Sequence, residues 1–108
     1  SSERATRLAG EILTAPELQR MAAGPEQQIA QLVTLTFSLK EALFKALYPL
    51  VLKRFYFEDA ELLEWSENGS ARLRLKMDLS EEWHSGKELQ AQFSVEGGQL
   101  LSLVAIAA

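Results

Sequence analysis

The sequence contains no cysteine, which excludes a disulfide framework, a thiol nucleophile and a thiolate metal site. A single histidine, His84, excludes a multi-histidine metal site and any relay between two imidazoles. With three prolines and six glycines in 108 residues, neither a collagen-like nor a low-complexity chain is in question. No apolar run approaches the ~18 residues of a membrane span, so no membrane association is expected. The net charge of −4 gives no global attraction to nucleic acid. Zero cysteine is compatible with a cytoplasmic setting, which is the expectation taken here. What is present is ordinary for a globular protein: 47% hydrophobic and 24% charged residues. A chain of this length is one domain, 1–108, and buries roughly 65% of its unfolded surface.

Helical periodicity dominates the first half. Ala5, Leu8, Ala9 and Ile12 follow an N-cap at Ser2. Thr14-Ala15-Pro16-Glu17 is a capping box that starts a short second helix through Leu18 and Met21, ended by Gly24-Pro25. From Pro25 to Leu47 two apolar stripes run at helical spacing, one through Leu32, Leu39, Leu43 and Ala46, the other through Val33, Phe37, Phe44 and Tyr48. The β-branched Val33, Thr34 and Thr36 leave room for a short extended piece. Ser38-Leu39-Lys40-Glu41 could also restart the helix. One long helix is favoured, with Pro49 marking its end. The second half reads as β. Strands are expected at Ala60 to Trp65, Ala71 to Met77, Leu89 to Val95 and Leu100 to Ile106. Hairpin turns fall at Asn68-Gly69 and Gly97-Gly98. The last strand is apolar on both faces, as a central strand would be. The fold class is α+β: N-terminal helices, one of them long, packed on an antiparallel meander.

The stretch that carries chemistry is Phe37-Ser38-Leu39-Lys40-Glu41-Ala42-Leu43-Phe44-Lys45. Glu41 and Lys45 are four apart and share a helix face, with Lys40 about 100° round from Glu41. A carboxylate suits Mg²⁺, and ammonium groups suit phosphate as point charges. The plainer reading is a surface ion pair worth about 0.2–0.5 kcal/mol.

The residue identities alter the balance. The stretch resembles the W/F-x-x-K-E-[SA]-x-x-K signature of the 4′-phosphopantetheinyl transferases. The wider run FSLKEALFKALYP, Phe37 to Pro49, is similar to the two-lobed Sfp/EntD type that serves siderophore and peptide synthetases. Lys53-Arg54-Phe55-Tyr56-Phe57-Glu58-Asp59-Ala60 and the order of helices and meander are similar to the C-terminal lobe of that type. The resemblance implies transfer of 4′-phosphopantetheine from coenzyme A to a serine of an acyl or peptidyl carrier protein, assisted by Mg²⁺. By motif position it implies Glu41 as a metal ligand and a candidate base, Lys45 beside the pyrophosphate, and Lys40 as a second phosphate-side cation. It also implies further metal carboxylates in a G-x-D-x-E motif upstream of the signature helix. This sequence has no such motif. Its only aspartates are Asp59 and Asp78, and Asp59-Ala60-Glu61 lies downstream, with Phe57 in place of the glycine, so it reads as a decoy.

The sequence opens on Ser1-Ser2 rather than Met and has no signal peptide. Together these features raise the expectation of an excised C-terminal lobe. Its N-terminal lobe would carry the remaining metal site and cover an apolar surface on this one. A non-catalytic binding module of the same ancestry is the alternative, and a self-assembling, half-sized synthase is a third reading. Elsewhere the plain readings are favoured. His84 is a turn residue, Trp65 and Trp83 pack on the sheet, and Arg72, Arg74 and Lys76 form a solvated face.

Overall fold

A computed structural model describes residues 9–106. Most of the helix expected to open at Ser2 lies outside the described residues, and 9–12 are helical. Helix α1, Ala15–Ala22, begins with the expected box. The Thr14 backbone N–H donates to Glu17 Oε1 at 2.7 Å, and the Glu17 N–H donates to Thr14 Oγ1 at 3.4 Å. Two of the donors that a helix start leaves unpaired are satisfied in this way.

Helix α2 runs unbroken over Glu26–Val51. The β-branched residues at 33–36 do not interrupt it: burial outweighs the weak helix propensity of Val33 and Thr36, and the exposed Thr34 donates its hydroxyl to the Ala30 carbonyl at 3.0 Å. Val33, Leu35 and Thr36 are all buried, and Thr36 Oγ1 returns its proton to the Leu32 carbonyl at 2.7 Å. Pro49 does not end this helix but sits inside its last turn. Proline there removes one hydrogen bond, to the Lys45 carbonyl, and only two helical residues follow it. The stop comes at Leu52, whose left-handed φ of 52° lets its N–H reach the Tyr48 carbonyl at 2.8 Å.

A 3₁₀ turn, Phe57–Asp59, leads into four strands: β1 Ala60–Trp65, β2 Ser70–Leu75, β3 Glu88–Glu96 and β4 Gln99–Val104. They pair antiparallel in chain order, β1-β2-β3-β4. The meander makes β4 an edge strand rather than the central one its apolar composition suggests. Its inner residues Leu100 and Val104 pack against the main core, while Leu101 and Leu103 face outward, 49% and 61% exposed. The other inner face is supplied by Leu62, Leu73, Leu75, Leu89 and Ala91. It packs on Leu35, Leu39, Leu43 and Leu47 of α2. A smaller core joins Ile12, Leu13 and Met21 to Val33, with Phe57 against it. Trp83 is buried, as a packing role requires, whereas Trp65 is 36% exposed and meets Phe93 edge-on at 6.5 Å. Arg72 and Arg74 lie on the outer face and are paired with Glu64 and Glu88.

Gly69 closes the first hairpin at φ 96°, and a Cβ there would stand 2.5 Å from the Phe93 carbonyl oxygen. The same two residues share a bond from the Phe93 N–H to the Gly69 carbonyl, 2.8 Å. A side chain at Gly69 therefore meets both backbone strain and a clash in the middle of the sheet. Gly69→Ala is expected to cost about 1–3 kcal/mol, the range for a residue forced into such a conformation. Urea denaturation of the two proteins measures it.

Candidate functional site

The signature helix divides its polar residues between two faces. Glu41 is half-buried and Lys45 is exposed. Among the described residues neither side chain makes a hydrogen bond or an ion pair, to the other or to anything else. The surface pair that helix spacing allows is not formed, and both groups remain available.

Lys45 lies in an open groove of about 560 Å³, which falls within the usual range for small-molecule sites. The last turn of α2 and the segment after it build this groove. Phe44, Tyr48, Phe55 and Tyr56 supply aromatic walls, and Lys45, Lys53 and Arg54 supply charge. Two of these rings are accessible, Tyr48 at 49% and Tyr56 at 60% exposed. Phe44 and Phe55 meet edge-on at 4.8 Å and form the fixed part of the wall. Three cations with no carboxylate among the lining residues suit phosphate groups, and exposed rings suit a planar base. Of these residues, Lys45 is the one to which the signature motif points. Tyr48, Lys53, Arg54 and Tyr56 join it in the lining, and the run Lys53-Arg54-Phe55-Tyr56, two basic residues followed by two aromatic ones, is the signal in the sequence.

Lys40 is placed elsewhere, in disagreement with its expected position beside phosphate. Its side chain is fully buried. Its Nζ donates to the Ile12 carbonyl at 2.8 Å, to the Phe57 carbonyl at 2.8 Å and to Glu17 Oε1 at 2.9 Å. An ammonium group has three protons, and all three are used. Burial pulls the Lys40 pKa below the usual lysine value, and the Glu17 carboxylate opposes that shift. Glu17, also buried, accepts from the Thr14 N–H and, through Oε2, from the Leu62 N–H.

Asp59-Ala60-Glu61 is likewise committed to the fold. Asp59 Oδ2 accepts from the Tyr56 N–H at 2.8 Å and caps the 3₁₀ turn. Glu61 is buried between Arg20 at 3.2 Å and Lys76 at 3.1 Å. His84 is exposed, with Nδ1 2.9 Å from the Ser85 carbonyl, in keeping with a turn residue.

Mg²⁺ demands near-octahedral coordination by several oxygens. Among the described residues no group of three or more His, Asp or Glu side chains could hold a metal ion. Glu41 offers one carboxylate, so these residues do not by themselves fit the metal.

The α+β fold thus ends its long helix in an open groove lined by three cations and four aromatic rings. A family model described as ACPS, the 4′-phosphopantetheinyl transferase superfamily, matches residues 1–103, and the chain belongs to that superfamily. No match was found among curated proteins. No helix of the described residues is long and apolar enough to cross a membrane.

The Glu61 site has a pH signature. Burial raises its pKa, but hydrogen bonds and charge from Lys76 and Arg20 outweigh burial and leave it below the usual carboxylate value. A depressed carboxylate contributes stability above its unfolded pKa and loses it as pH falls through the folded value. Glu61→Gln should therefore cost about 1–3 kcal/mol at neutral pH, the scale of hydrogen bonds to charged groups. The gap from the unsubstituted protein should close once the pH is below the carboxylate range. Denaturant titrations at neutral and acid pH test this, and a gap independent of pH would remove the charge from the argument.

Proposed function

We propose that this chain is the C-terminal lobe of a two-lobed, Sfp/EntD-type phosphopantetheinyl transferase and supplies one half of its active site. The observation that supports this reading best is the pairing of unengaged Glu41 and Lys45 with the cationic, aromatic groove at the end of α2. Coenzyme A is a nucleotide with a pyrophosphate and a 3′-phosphate. On this reading its phosphates lie against Lys45, Lys53 and Arg54, and its adenine lies against the exposed rings. The hydroxyl of a carrier-protein serine attacks the phosphorus that bears pantetheine. The bond to the departing 3′,5′-ADP breaks, and the serine proton passes to a base, for which Glu41 is the candidate in this chain. Lys45 neutralises charge on the leaving group. Any Mg²⁺ would draw its further oxygen ligands from outside the described residues.

Phe37, Glu41, Phe44, Lys45 and Tyr48 recur at helical spacing on one side of α2, and Phe37 and Tyr48 are partly exposed. The partner lobe would cover this side and complete the site. An acyl or peptidyl carrier protein of a siderophore or peptide synthetase is the proposed protein substrate, and the cytoplasm is the proposed location. The lack of a metal-binding group among the described residues favours a second reading, a binding module that takes coenzyme A without transferring from it.

In the assembled enzyme, Glu41→Gln should lower turnover by roughly 10²-fold or more, the scale of losing one acid–base group. Lys45→Ala should chiefly weaken coenzyme A binding. Neither should shift the thermal midpoint, because among the described residues neither side chain makes a hydrogen bond or an ion pair. Mass spectrometry of an apo carrier protein incubated with coenzyme A and Mg²⁺ measures transfer, and calorimetry measures binding. Coenzyme A binding without any modified serine would select the module over the transferase. Normal turnover for Glu41→Gln would exclude Glu41 as the base.

A further inference from the structure

We propose that Lys40 is a positioning residue that holds the aromatic wall of the Lys45 groove through the Phe57 carbonyl and Glu17, and that it makes no phosphate contact. The proposal rests on the reading of that groove as the coenzyme A site.

The first support is direction. Five residues at 100° each place Lys40 about 140° round the helix from Lys45, so the two lysines cannot serve one ligand from one face. The second is saturation. All three ammonium protons are committed, within 2.9 Å, to Ile12, Phe57 and Glu17. A phosphate contact would require one of these bonds to break inside the core. The third is what the bonds hold. Phe57 stacks on Phe37 at 5.4 Å and meets Phe44 edge-on at 5.1 Å. Phe44 in turn meets Phe55, and both line the groove. The Phe57 backbone is thus fixed by Lys40, and its ring braces the wall one turn from Glu41 and beside Lys45. Glu17 completes the tie, because its other oxygen holds the Leu62 N–H, near the start of the strand that Phe57 leads into.

The test uses the full chain with fluorinated phenylalanine at its five positions, assigned by single Phe→Leu changes. Lys40→Met should move the ¹⁹F resonances of Phe37, Phe44 and Phe57 and leave that of Phe93 in place. Coenzyme A affinity should fall roughly tenfold or more, with an unchanged dependence on salt, because no phosphate-facing cation is lost. Lys45→Ala is the contrast: it should flatten the salt dependence and leave the Phe57 resonance where it was.

Removing Lys40 alone strands a buried carboxylate, so Glu17→Gln/Lys40→Met is made in parallel and removes both charges. If the double variant regains the thermal midpoint of the unsubstituted protein, its coenzyme A affinity should still be low, because the Phe57 carbonyl remains untied. Normal affinity in that variant would overturn the proposal. So would phenylalanine resonances that ignore Lys40→Met, or a salt dependence flattened as by Lys45→Ala. Should the unsubstituted chain fail to bind coenzyme A, the reading of the groove falls. The fluorine spectra then still decide whether Lys40 holds the wall.

Discussion

The buried pair of Lys40 and Glu17 is the interaction on which the helical half of this protein depends. Each ion taken out of water costs several kcal/mol, and a bare pair in the core rarely recovers that loss. Here the cost is offset by completeness. Lys40 has three acceptors, and Glu17 has the Thr14 and Leu62 N–H groups besides the lysine. No buried side-chain polar atom among the described residues is left without a partner. The pair also joins pieces that otherwise share only the small core of Ile12, Leu13, Met21, Val33 and Phe57. The turn after residue 12, the start of α1, the 3₁₀ turn and the start of β1 all end on it. Apolar burial could hold these segments near one another, but it has no direction. Saturated charged hydrogen bonds have both direction and length, so the segments sit in one arrangement.

That arrangement separates construction from chemistry on one helix. Along α2 the inner face, Leu35, Leu39, Lys40, Leu43 and Leu47, is buried against sheet and turn. The adjacent face carries Phe37, Glu41, Phe44, Lys45 and Tyr48. Between them runs the aromatic seam of Phe37, Phe57, Phe44 and Phe55, with centroid spacings of 4.8–5.4 Å. Rings packed at such distances shift together, because interiors are close-packed and a gap forfeits contact energy. The groove thus inherits its shape from bonds made on the far side of the helix.

Much of this was legible in the sequence, and what was not has a common cause. The capping box at Thr14-Glu17, the unbroken helix and the two glycine turns follow from local chemistry, and their residues announce them. The strand expected at Ala60 to Trp65, ahead of the Asn68-Gly69 turn, has those bounds in the fold. The second role of Glu17 was hidden, because a capping glutamate and a core glutamate look alike until the residue 23 positions away is folded onto it. Lys40 was hidden for the same reason: lysine adjacent to glutamate reads as solvent-facing, and only the three acceptors brought by other segments make its burial tolerable. Strand β4 misled through composition. Leu101 and Leu103 look like core residues, yet a meander in chain order leaves its last strand at an edge, whatever its side chains. Pro49 misled through a rule about helix interiors that weakens in a final turn, where little helix remains to break.

The charge placement bears on how the proposed ligand would be held. Lys45, Lys53 and Arg54 surround the groove, while Glu41 lies one turn back along the helix, outside the groove lining. A phosphorylated ligand entering the groove meets three positive groups and no lining carboxylate, so attraction to it does not need a metal. The lone carboxylate lies instead toward the side where a second protein surface would meet the helix. Docking of the nucleotide and activation of the attacking hydroxyl would then draw on different groups. The first could be complete within these residues, and the second would need oxygens from elsewhere. The cations line the groove on the side chains of a rigid helix end and the turn beyond it, braced by the buried lysine.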